Sequence, residues 1–123
     1  MAPLKTLCYC TMCACIFLFL GCKKESHPDA GQRLEQSFQR AEPEVKKTIA
    51  AVSSDLHNGK YIEAARTLEP VLAARRLTPQ QKEDVGLLFQ EISRAVAADP
   101  SIDSKELYEV RLKLFRAARG ERF

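Results

Sequence analysis

From Leu34 onward the apolar residues Leu34, Phe38, Ala41, Val45, Ile49, Val52 and Leu56 recur every three or four positions. That spacing lines one face of a helix. Pro43 falls inside the stripe, and an interior proline removes a backbone hydrogen bond and clashes one turn back, at about 3 kcal/mol. The pattern therefore predicts either a kink at Pro43 or a fresh helix with Pro43 in its first turn. "HNGKY" (His57 to Tyr61) ends this run, with Asn58 or Gly59 suited to the left-handed conformation of a helix C-cap. The turn is tight enough to fold a second helix antiparallel onto the first, through Tyr61, Ala64, Ala65, Leu68, Val71 and Leu72. Pro70 is expected to bend or shorten that helix.

A third helix starts with a strong signal: Thr78 as N-cap, Pro79 as first helical residue and Gln81 in capping-box position. Its face is Val85, Leu88, Phe89, Ile92, Ala95 and Val96, and Pro100 closes it. A last helix is predicted from near Asp103 to Gly120, presenting Leu107, Val110 and Leu114 with Tyr108 and Phe115 beside them. No segment alternates in the manner of a strand between turn residues. The expected fold is all-α, built of antiparallel helical hairpins, with about four helices in a domain spanning 33–123.

"NGKYIEAARTLEPVL" resembles the turn and second helix of a tetratricopeptide repeat, in Gly59, Tyr61, Ala64, Leu68 and Val71. In that family the glycine permits a tight corner, the aromatic fills the space between helices and the alanine allows close approach. The likeness covers about one repeat, residues 45–78, and Leu77 to Leu114 could supply another helical pair. It implies a protein-binding module. Repeat arrays generally need about three units for a continuous groove, so one and a half to two units suggest a flat helix face or a groove completed by self-association.

Ahead of the domain the pattern is different. Leu7 to Leu20 carries no charge, follows "MAPLKT" and ends in "FLFLGC". This is the layout of a secretory signal. A membrane-spanning helix needs about twenty apolar residues, and Lys23, Lys24 and Glu25 interrupt the run too early, so an uncleaved span is the weaker alternative. Leu18, Phe19, Leu20, Gly21 and Cys22 resemble the lipobox of bacterial lipoproteins. The resemblance implies that 1–21 is a lipoprotein signal peptide removed after Gly21. It further implies that the Cys22 thiol takes a diacylglyceryl group and that the new amino terminus is acylated, palmitate being a typical chain. Residues 22–32 then form a lipidated tether, its "KKESHPDAGQ" polar and without apolar period. Several acyl chains hold a protein durably where one binds only marginally. Lys23 follows the modified cysteine where Asp would retain a lipoprotein at the inner membrane of well-studied Gram-negative bacteria, so the outer membrane of the cell envelope is favoured.

That reading changes the meaning of the cysteines. Cys8, Cys10, Cys13, Cys15 and Cys22 are all five in the chain, and the spacing of the first four superficially suggests a metal or cluster site. No His, Asp or Glu lies before Gly21 to complete one, and cysteine is acceptable as a small apolar residue in a leader. No metal and no cofactor are expected.

Composition narrows the function further. Lys and Arg total 19 against 16 Asp and Glu in 123 residues, a net charge of +3 too interspersed to point to nucleic acid, and Trp is absent. The histidines are His27 in the tether and His57 at a helix end, and no phosphate loop or nucleophile motif is present. Glu63 with Glu69, or Glu83 with Glu91, could be drawn as paired carboxylates, but on amphipathic helices such residues usually form the solvated face. Lys82 and Asp84 read as surface charge too, and His57 as a residue favoured by the helix dipole. The chain is thus expected to be a non-catalytic, lipid-anchored envelope protein with a small protein-interaction domain. The alternative is a structural lipoprotein whose basic last helix, with Lys105, Arg111, Lys113, Arg116, Arg119 and Arg122, contacts anionic membrane or cell-wall polymer.

Overall fold

A computed structural model describes residues 29–122. Cys22 and the four cysteines ahead of it, the signal segment, most of the tether and His27 lie outside the described residues. Within them the protein is all-α, as the periodicity predicts: α1 Ala30–Ser37, α2 Pro43–His57, α3 Tyr61–Ala74, α4 Pro79–Ala98 and α5 Lys105–Ala118, with a short 3-10 turn, Pro100–Ile102.

Among the described residues there are five helices where about four were expected, because Pro43 does not kink a long helix. It opens a new one as the first residue of α2, where its missing N–H costs nothing. The chain turns after Phe38, whose carbonyl accepts the Ala41 N–H at 3.0 Å. The start of the domain also differs from the expected boundary at 33. Asp29 caps α1 by accepting the Gln32 N–H at 2.8 Å, and Ala30 and Gly31 are already buried. The polar segment therefore ends earlier than its lack of apolar period suggested.

Gly59, not Asn58, takes the left-handed conformation after α2, with φ 72°, and the Lys60 N–H returns to the Asp55 carbonyl at 2.8 Å. Helix α3 is not shortened by Pro70; it continues to Ala74 with Pro70 on its exposed side. The capping box at α4 is formed in full, Thr78 Oγ1 accepting the Gln81 N–H at 3.1 Å and Gln81 Oε1 accepting the Thr78 N–H at 3.0 Å. Helix α5 begins one residue later than the Asp103 signal implied. Ser104 caps it by accepting the Leu107 N–H at 3.0 Å, since its hydroxyl sits three residues before that free amide.

The predicted faces meet in one core. Leu34, Val52, Leu68, Val85, Leu88 and Ile92 are fully enclosed, with Phe38, Ile49 and Leu114 almost so. Burying a side chain of this size stabilises by roughly 1.5–3 kcal/mol. The close helix pairs are α1 with α2 and α4, α2 with α3, and α5 with α3 and α4. They close a circuit in which α4 leans on α1 and α5, while consecutive α3 and α4 share no broad contact. Of the residues carrying the repeat resemblance, Ala64 and Leu68 are buried and Tyr61 is half-buried.

Polar bonds fix α1 against α4. The Ala30 N–H donates to Glu91 Oε2 at 3.0 Å, Arg33 Nε to Asp84 Oδ1 at 3.2 Å, and Gln81 Nε2 to the Ser37 carbonyl at 3.1 Å. Ascending positions in α1 meet descending positions in α4, so these two helices run antiparallel.

Candidate functional site

The Ser104 cap sets the register of α5, and that register divides the helix into two faces. Leu107, Val110, Leu114 and Ala117 point into the core. Tyr108, Leu112 and Phe115, four and three residues apart, point outward and are 59%, 37% and 41% exposed. Tyr108 and Phe115, placed beside the core residues by the sequence pattern, thus belong to the opposite surface. Large apolar side chains in a row on the outside of so small a domain are the most informative feature of its surface.

Phe115 anchors one end of the row. The Phe115 ring packs on Phe89 of α4, centroids 5.5 Å apart at 52°, and the Arg119 guanidinium lies 5.5 Å from the Phe115 ring centroid. Around it the charges are sorted. Glu106 pairs with Arg66, and Lys113 Nζ with Glu69 Oε1 at 2.8 Å, which takes both toward α3. Arg111 pairs with Asp103 at 3.3 Å and Arg119 with Glu121 at 3.3 Å. Lys105 and Arg116 are exposed and form no ion pair among the described residues. At about 100° per residue, Lys105, Arg111, Arg116 and Arg119 all fall within roughly 75° of the row, whereas the nearest α5 carboxylate, Glu109, lies about 90° round.

A second feature is an open cleft of about 710 Å³ where the ends of α3 and α5 meet the start of α4, lined by Arg75, Arg76, Lys82, Glu121 and Arg122. Two of its cations, Arg75 and Lys82, have local roles. Arg75 Nη2 holds Glu42 Oε2 at 3.0 Å, tying the α1–α2 connection to the end of α3. The Glu42 carboxyl is held below the usual carboxylate range, first by its own backbone amide and then by Arg75. Lys82 reaches the turn at Gly120, where φ is 75°, beside the carbonyl end of α5.

The carboxylates considered as pairs are engaged separately. Glu69 binds Lys113, Glu91 receives the first amide of α1, Glu83 lies 3.9 Å from Arg33, and Glu63 is exposed. Asp84 is the clear correction: it is not surface charge but buried, accepting from Arg33 and, at 3.1 Å, from Gln80 Nε2. The signal was present, since Asp84 falls in step with Gln81, Leu88 and Ile92 on the apolar face. Lys82 is half-buried, and His57 is the exposed last residue of α2. Among the described residues no group of three or more His, Cys, Asp or Glu could hold a metal ion, and no helix is long and apolar enough to cross a membrane. Comparison with protein-family models, curated proteins and solved structures gives no match.

Proposed function

We propose that this protein is a lipid-anchored component of a bacterial cell envelope, held through Cys22 and favouring the outer membrane, that acts by contact rather than by catalysis. The anchor is supported by the uncharged run from Leu7 to Leu20 and by the Gly21–Cys22 junction. The contact reading is carried by one observation: the outward row Tyr108, Leu112 and Phe115 on a helix whose inner face is already satisfied by the core.

Two kinds of occupant suit such a row. A protein groove, a second copy of this chain included, reads apolar side chains at this helical spacing. An anionic surface reads the cations beside them, and Lys105 and Arg116 have no partner within the described residues. Nucleic acid fits less well, because the net charge of +3 is interspersed along the chain and Trp is absent.

A photoreactive side chain at position 108, introduced in cells of the source organism, tests the assignment of this face. Adducts that disappear when the same group is moved to Ala51 on exposed α2 are the expected result. Equal labelling from both positions, or none from 108, would remove α5 as the contact face.

A further inference from the structure

We infer that the outward face of α5 lies on the anionic headgroup layer of the same bilayer that holds the lipid anchor, so that the domain is docked on the membrane rather than suspended above it. This rests on the lipid-anchor reading and adds the orientation of the domain. The face has the composition of an interfacial contact: an aromatic with a polar tip, a leucine and a phenylalanine, with Lys105 and Arg116, unpaired among the described residues, close by. Arg119 is paired with Glu121, Glu106 is drawn toward α3 and the exposed Glu109 lies about 20° beyond Arg116. Leu112 and Phe115 are less than half exposed, which suits shallow insertion at the headgroup boundary better than a knob reaching into a protein groove.

The geometry of the tether permits it. Residues 23–29 separate Cys22 from the first residue of α1, a reach of at most about 25 Å. The end of that tether and the row sit at one level of α4, because the Ala30 amide bonds Glu91 while Phe115 packs on Phe89, two positions away along the same helix. Glu91 and Phe89 project about 160° apart around α4, so α1 and α5 flank it and about two interhelix spacings, roughly 16–20 Å, separate them laterally, within the tether's reach. A short tether also keeps the face at high effective concentration near the lipid, so three apolar side chains and a few cations suffice where a free domain would need more.

The chain contains no Trp, so Leu112→Trp puts a single indole in the row and Lys47→Trp puts one on exposed α2 as control. The full lipidated chains are floated with vesicles of phosphatidylcholine alone or mixed with phosphatidylglycerol, using acyl chains brominated near the headgroup. The expected result is blue-shifted emission of L112W and quenching severalfold above that of K47W, in the anionic vesicles, both reduced to the K47W level by Lys105→Glu with Arg116→Glu although flotation persists. Flotation with L112W as exposed as K47W overturns the docking and leaves the anchor standing; a partner protein that shields L112W only when vesicles are absent does the same. Failure to float overturns anchor and docking together.

Discussion

Arg33 Nε lies 3.2 Å from the Asp84 carboxylate, which is buried, and this pair joins helices separated by 51 positions in the chain. Asp84→Ala leaves the guanidinium and the Gln80 amide without their shared acceptor. Arg33 is about one-third exposed and regains water, so the loss should be about 1–3 kcal/mol, below the 3–5 kcal/mol of a fully buried pair. Urea unfolding of D84A, R33A and the double variant checks it: the double loss should be less than the sum. Additive losses would show that the two residues act independently.

Gly31 lies where α1 packs against α2. A Cβ there would stand 2.7 Å from Ser53 Oγ and 3.1 Å from Ser53 Cα. Alanine gains up to about 1 kcal/mol in helix propensity over glycine, but overpacking costs about 1–3 kcal/mol, and the backbone contact has nowhere to go. Gly31→Ala should therefore destabilise, with Ser53→Gly recovering part of the loss. A more stable G31A would mean that α1 is free to move off α2.

Gly59 is a different case, because a Cβ there meets no neighbour within 4 Å and only its φ of 72° resists substitution. Gly59→Ala should cost about 1–2 kcal/mol and Gly59→Asn less. Thermal unfolding separates the two variants, and equal stability of all three chains would contradict the assigned turn.

The Glu42 carboxyl is lowered by its own backbone amide first and by Arg75 second. A depressed folded value means that this contribution is complete above the ordinary carboxylate range and is lost as pH falls through the folded pKa. Carbon-detected NMR titration should show the Glu42 midpoint rising on Arg75→Ala while staying below the ordinary range. Complete recovery of the ordinary value would assign the whole effect to Arg75.

The helices are legible because their cores are periodic: spacing alone points Leu34, Ile49, Val52, Leu68, Val85, Leu88, Ile92 and Leu114 inward, and all are buried. Thr78 and Gln81 were legible for a different reason, the capping box being a local motif that closes within four residues. The α1–α4 clasp was not, since Arg33 and Asp84 are far apart in sequence and periodicity cannot say which helices become neighbours. The outward row is not legible either, for a related reason. Tyr108 and Phe115 each adjoin a core residue, Leu107 and Leu114, and only the register imposed by Ser104 and the packing of α3 and α4 decides which of them faces the interior.

The central claim concerns what is attached to Cys22, and intact mass spectrometry of the protein from its native host measures it directly. The account predicts a chain starting at Cys22, heavier than its amino acids by a diacylglyceryl group and an amide-linked acyl chain. A mass that retains Met1, or a bare thiol at Cys22, would contradict it.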